Sequence, residues 1–268
     1  MIGSDLLRRA RLQFLMARQI VNWREAWSAY STGAPMPPLR FRHGGVLLNE
    51  PRDAAGFLFF EIFANGCYRR QLPATLKGVA VDIGANIGAF ALDMAWRYPS
   101  LIIHAYEPDP VTYDQLRRNI DANGLAGRVH AWNEAVGGQA GALRLWRNDG
   151  SIAASAFRAD TTNEASVDVR AVTLGTVVER AGPRVTLLKM DCEGLEVEIL
   201  ESDRAALQRI ERVVLEYHPA LVPDAVSRIR HALEPEFDVT VDGSGRCGDL
   251  IRARHQRPEV VDPDEAVL

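Results

Sequence analysis

The residues best suited to hold a ligand start at Val79-Ala80-Val81-Asp82-Ile83-Gly84-Ala85-Asn86-Ile87-Gly88, an apolar run that ends in a glycine turn and leads into a helical stretch. Such a turn lets the backbone approach a ligand closely at the carboxyl edge of a parallel sheet. The GxGxxG spacing that cradles a pyrophosphate is absent, and Asp82 stands just before Gly84, where a carboxylate would repel phosphate. A zwitterionic amino-acid cofactor with an ammonium group suits that charge better. The bland reading is a plain strand-to-helix turn.

The next stretch is His104-Ala105-Tyr106-Glu107-Pro108-Asp109-Pro110, which puts a carboxylate at the end of the following strand. There Glu107 can accept both hydroxyls of a ribose. Its other reading is a cap on the next helix, a task Asp109 suits equally well. Asn133-Glu134-Ala135-Val136-Gly137 closes the third predicted strand where an adenine ring would lie, with small Ala135 available to its face. The candidate cofactor contacts are therefore Asp82, Gly84, Asn86, Gly88, Glu107, Pro108, Glu134 and Ala135, with Asp191 added from the fourth strand.

Joined to Leu187-Leu188-Lys189-Met190-Asp191-Cys192-Glu193-Gly194-Leu195-Glu196, these pieces resemble the FkbM family of methyltransferases. The resemblance runs from about Val79 to Tyr217 and covers the VDIGANIG turn, the YEPDP strand end, the NEAVG turn, the VRAVTL segment, the KMDCEGLE block and the LEYH strand end. Cys192 departs mildly from the family pattern, which usually has an aliphatic residue between the acids. The resemblance implies a Rossmann-like class I methyltransferase fold: an α/β seven-stranded, mostly parallel sheet, helices on both faces and an antiparallel C-terminal hairpin. It also implies S-adenosylmethionine (SAM) as methyl donor and a hydroxyl acceptor on a small metabolite, a sugar or glycan, or a polyketide-type product.

Methyl transfer to a hydroxyl requires the acceptor oxygen to be placed in line and its proton removed. Asp191, Glu193, Glu216 and His218 fall at the ends of the predicted fourth and fifth strands and are the catalytic candidates. Two roles compete. A carboxylate or His218 acts as general base, or Asp191 and Glu216 hold a divalent cation such as Mg2+ that acidifies the acceptor. Glu196 reads as a stabiliser of the following helix N-terminus. Lys189, charged within an apolar strand, needs a partner, and alternation points to Asp82 or Glu216. Acceptor contacts are expected from Tyr68 and Arg69 after the Phe57–Phe63 aromatic run, and from Trp146, Arg147 and Asn148, although the phenylalanines also read as core.

These side chains must be carried by a doubly wound core. Strands are expected near Gly78–Ile83, Leu101–Tyr106, Val129–Asn133, Val185–Met190 and Val213–Tyr217. The intervening helices fall near Gly88–Arg97, Pro110–Asn123, Leu174–Ala181 and Leu195–Ile210. A β insertion at about 142–172 and a closing helix and hairpin complete the domain at 39–257, followed by an acidic tail at 258–268 read as mobile. Residues 1–38 supply one amphipathic helix, from about Asp5 to Tyr30, and a proline-rich linker. Its stripe of Leu7, Ala10, Phe14, Ala17 and Val21 reads as packing on the domain or on a second subunit, the basis for expecting a homodimer.

Composition sets the outer limits. The chain has 268 residues, 47% hydrophobic, with a formal charge of −4, so no global basic field draws it to nucleic acid, although a local basic patch stays open. Cys67, Cys192 and Cys247 show neither a disulfide framework nor zinc spacing, which fits a reducing, cytoplasmic setting. No apolar run is long enough for a membrane span. The competing functions are methylation of nitrogen on another small molecule or a macromolecule, and a noncatalytic SAM-binding module.

Overall fold

The computed structural model describes residues 2–47, 59–147, 154–155, 165–242 and 249–257. In chain order the elements are α1 (Ile2–Gln19), α2 (Trp23–Thr32), β1 (Leu39–Arg40), β2 (Val46–Leu47), a π-helical segment (Phe59–Asn65), β3 (Gly78–Ile83), α3 (Ala89–Arg97), β4 (Leu101–Tyr106), α4 (Pro110–Ala122), β5 (Val129–Trp132), β6 (Ala135–Val136), β7 (Gly141–Arg147), β8 (Ala154–Ser155), β9 (Ala165–Val172), α5 (Leu174–Ala181), β10 (Leu187–Met190), α6 (Glu196–Ser202), α7 (Arg204–Leu207), β11 (Arg212–Glu216), α8 (Ala225–Leu233), β12 (Phe237–Asp242) and β13 (Leu250–His255).

Seven strands form the central sheet in the order β12-β13-β11-β10-β3-β4-β5. Neighbours are parallel except at β13, which runs antiparallel to both β11 and β12. Strand order reverses between β3 and β10, and in such open sheets a ligand crevice opens at the carboxyl ends beside that reversal. The expected seven-stranded class I architecture with its antiparallel C-terminal pair is therefore present. The insertion makes a second, four-stranded sheet in the order β6-β9-β7-β8.

Alternation along each strand feeds two cores, one on each face of the sheet. Ala80, Ala105, Leu187 and Val214 pack with α1, the π-helical segment, α3 and α4. Val81, Tyr106, Leu188, Val213 and Leu215 pack with α5, α6, α7 and α8. The first core is aromatic, with Phe41, Phe59 and Phe63 buried together, so the core reading of the phenylalanines holds at Phe59 and Phe63, while Phe57 lies outside the described residues.

Several boundaries differ from the sequence expectation for local reasons. The N-terminal helix is two helices, because Asn22 leaves helical geometry to tie the chain to the linker: its Oδ1 accepts Arg40 N–H at 3.0 Å and its amide donates to Pro38 O at 2.9 Å. The buried stripe is Leu12, Met16 and Ile20, whereas Phe14 and Val21 are 63% and 57% exposed. That stripe packs into the main core, so among the described residues α1 is part of the domain's own packing. Leu195–Ile210 is also broken, at Asp203, whose Oδ1 caps α7 by accepting Ala206 N–H at 3.1 Å.

Cys67 is disulfide-bonded, which corrects the reading of the cysteines as unpaired; sequence spacing does not register approach in space. The cysteine argument for a reducing compartment falls with it. Among the described residues, no helix is long and apolar enough to cross a membrane. The acidic tail, Asn148 and most of the stretch that joins the insertion strands lie outside the described residues.

Candidate active site

A cleft opens at the carboxyl ends of β3, β4 and β10. Its floor is the glycine turn. Gly84 has φ +72°, and a Cβ there would stand 1.8 Å from the Asp191 carbonyl oxygen, so only glycine lets β3 and β10 meet at the cleft. Of the expected cofactor contacts, Gly84, Asn86, Glu107, Pro108, Glu134, Ala135 and Asp191 all line it.

Glu107 is the pivot of this end. Its Oε2 accepts Asn86 N–H and its Oε1 accepts Asp109 N–H, each at 2.9 Å, leaving a lone pair on each oxygen. Asp109 takes the capping role, accepting N–H groups of Val111 and Thr112, which frees Glu107 for the cleft. Burial raises the Glu107 pKa to about 7 against the pull of those two N–H donors. Asn86 has φ +51°, and its Oδ1 accepts Ile87 N–H at 2.7 Å.

Two expected contacts are placed elsewhere. Gly88 is the N-cap of α3 at φ +90°, packed under Leu116. Asp82 is fully buried below the turn. It stands directly opposite Lys189 in the β3–β10 register, and Lys189 Nζ lies 3.1 Å from Asp82 Oδ1, donates to Gly84 O at 2.8 Å and lies 3.8 Å from Asp191 Oδ2. Burial opposes the lysine's charge, yet Asp82 and then Asp191 outweigh it and hold Lys189 protonated. Of the two partners that alternation allows for Lys189, Asp82 and Glu216, the fold supplies Asp82. Glu134 reaches the cleft wall with its carboxylate already held by Arg180 and, at 3.2 Å, by Arg170.

At the acceptor end, Tyr68 is buried and its hydroxyl lies 3.0 Å from Asp191 Oδ2 and 2.8 Å from Glu216 Oε2. A hydroxyl has one proton, so both contacts are satisfied when one carboxylate is itself protonated. Glu216 fits that state: burial and then the Asp191 charge raise its pKa to about 7. Glu61, from the π-helical segment, hydrogen-bonds Glu216, and burial followed by the Glu216 charge raises its pKa to about 8. The sequence signal for Glu61 is an acid inside the apolar run Phe59-Phe60-Glu61-Ile62-Phe63.

His218 sits among acids, with Nε2 3.7 Å from Asp191 and 3.6 Å from Glu193, and Nδ1 3.3 Å from Glu196. Burial disfavours its charge, but the Glu196 hydrogen bond and the three carboxylates push its pKa up to about 9. Glu196 is buried and accepts N–H groups of Cys192 at 2.8 Å and Gly194 at 3.0 Å, folding the loop that presents Glu193 at φ +55°. The three ligand atoms close enough together for one ion belong to Asp191, Glu196 and His218 among the described residues. They are spent on one another and on backbone. The Asp191–Glu216 pair expected to hold magnesium is instead bridged by the Tyr68 hydroxyl.

The remaining acceptor candidates are corrected by geometry. Arg69 turns away to α3, donating to Asp93 at 2.9 Å and to the Ile62 and Phe63 carbonyls, so it braces the π-helical segment. On β7, Leu143 and Leu145 line the cleft, and the two-residue period puts Trp146 on the other face.

The Methyltransferase FkbM domain model matches residues 82–236. The chain is 31% identical over 238 residues to methyltransferase sdnD of Sordaria araneosa, covering 75% of this chain and 90% of that protein. It is 30% identical to the 31-O-demethyl-FK506 methyltransferase FkbM of Streptomyces tacrolimicus, covering 67% and 81%. Hexuronic acid methyltransferase AglP of Haloferax volcanii shows 27% identity, covering 65% of this chain and 70% of that protein.

Proposed function

The chain belongs to the FkbM methyltransferase family, and from that premise we propose that this SAM-dependent methyltransferase methylates a hydroxyl oxygen of a small metabolite, a sugar or glycan, or a polyketide-type product. The carrying observation is a cleft lined both by a diol acceptor, Glu107, and by Asp191, whose carboxylate the Tyr68 hydroxyl links to Glu216. The names of the FK506 and hexuronic acid methyltransferases support an oxygen acceptor.

The cleft fits SAM by its own chemistry. Glu107 retains a lone pair on each oxygen for the two ribose hydroxyls, Ala135 and Val136 give an apolar wall for the adenine, and Asp191 offers its carboxylate to the ammonium group. Bound SAM supplies an electrophilic methyl group on sulfur. The protein's own part is to place the acceptor oxygen in line and take its proton.

We assign the acceptor's proton to Glu216 in its ionised form, which a pKa of about 7 makes available from neutrality upward, the protonated form being the resting state at lower pH. Asp191 orients the acceptor, with Lys189 beneath it, and Tyr68 fixes the spacing between the two carboxylates. His218 already carries a proton below pH about 9, so it clamps Glu196, Glu193 and Asp191 and is a poor base. Glu193 stands at the cleft rim as a further acceptor contact. No step needs a cation held by Asp191 and Glu216.

The test has two stages. Calorimetric titration of SAM into wild type and Glu107→Ala, with NADH as control, should show binding of SAM alone, weakened by about 1.5–3 kcal/mol in the variant. Release of S-adenosylhomocysteine is then followed with hydroxyl and amine acceptors, with and without magnesium. Turnover confined to amines would overturn the oxygen assignment, and undiminished turnover in Glu216→Gln would overturn the base.

A further inference from the structure

A second cleft, of about 920 Å³, lies at the opposite end of the sheet from the methyl-donor site. Arg184, Arg209, Arg212, Arg254, His255 and Arg257 line it. They come from the chain before β10, the amino end of β11 and the carboxyl end of β13, which is antiparallel. Glu216 is at the far end of β11 from Arg212, roughly 13 Å along the strand at about 3.3 Å per residue.

The charge here runs against the molecule's net charge of −4. Five guanidinium groups share the wall with one carboxylate, Glu211, which already pairs with both Arg184 and Arg212. Arg212 and Arg254 stand directly opposite each other on β11 and β13, with Asp238 of β12 opposite Arg254 on its other side and Glu211 paired with Arg212. The fold keeps them there and orients others. Arg209 donates to the Gly182 and Pro183 carbonyls, and Arg257 donates to the Gln208 side chain. His255 responds to this field: burial and then the charge of Arg257 hold its pKa below the usual value.

We infer that this arginine-lined cleft binds a phosphate-bearing anion at a site separate from the methyl-donor cleft. Forked guanidinium groups match phosphate oxygens in pairs, which a scattering of solvated lysines would not do. The inference does not depend on the identity of the methyl acceptor.

Calorimetric titration of the full chain with inorganic pyrophosphate, ADP and citrate tests it, each with and without SAM. Pyrophosphate should bind, lose affinity with added salt, and be indifferent to SAM. In Arg184→Ser/Arg257→Ser, both exposed positions, affinity should fall roughly tenfold or more, while SAM binding stays unchanged as a check on folding. Arg254→Ser gives a second, independent loss. Tighter binding of ADP than pyrophosphate would identify a nucleotide as the source, and the reverse an inorganic or terminal diphosphate; either supports the site. No binding of either phosphate compound, equal binding of citrate, undiminished binding in the variants, or displacement by SAM would overturn it.

Discussion

Glu107 is the residue whose ionisation the cofactor must meet. Its pKa is raised to about 7 by burial, and ribose hydroxyls donate to the ionised form. Affinity for SAM should therefore fall as pH drops below 7, approaching about tenfold per pH unit. Calorimetry across that range checks it, and Glu107→Gln should bind weakly with little pH dependence. A steep pH dependence retained in the variant would assign the proton to another group. Glu107 was legible from sequence because its place after a strand is set by local pattern. Glu61 and Tyr68 were harder, since their partners Glu216 and Asp191 are distant in the chain and the contacts arise only when the π-helical segment docks.

At the scale of elements, the meeting of β3 and β10 rests on Gly84. Gly84→Ala should cost at least ~2 kcal/mol and abolish SAM binding, because its methyl group would collide with the Asp191 carbonyl and its φ of +72° suits glycine. Denaturant unfolding and calorimetry on the same sample read both effects. The helix α1 makes a second case. Met16 is fully buried in the main core, so Met16→Ala should lower stability by about 2–5 kcal/mol while keeping one unfolding transition; an early, separate transition would show that α1 packs independently. The central strands were readable almost residue by residue as short apolar runs that end in turns, because they are buried on both faces. The α1 stripe was not, since Phe14 and Met16 look equally apolar and only the position of the core decides which is buried.

The whole molecule carries a proton-binding bias. Glu61, Glu107 and Glu216 hold protons to about 8, about 7 and about 7, and His218 to about 9, all above their ordinary values of 4.5 and 6.5. The folded state thus binds more protons than the unfolded chain, and the stability these groups contribute is lost as pH rises. Thermal midpoints should decline from pH ~6.5 to ~9, above the range in which His43, His104 and His255, held below the usual value chiefly by burial, act in the opposite sense, and Glu61→Gln should flatten the decline. At lower pH the slope reverses as Asp168 and Glu201, held below the usual range by hydrogen bonds from Arg144 and Arg228, take up protons. A midpoint that rises steadily across the neutral range would contradict the bias.

Tyr68 and Glu61 close the acceptor end, yet both precede the part of the chain that the family model matches, residues 82–236. Their partners Asp191 and Glu216 lie inside that span, so residues 59–76 bring Glu61 and Tyr68 onto groups that the family model covers. Exchanging residues 59–76 between relatives should move acceptor preference with the graft and leave the donor site behind, so substrate range in such enzymes can diverge by swapping a covering piece.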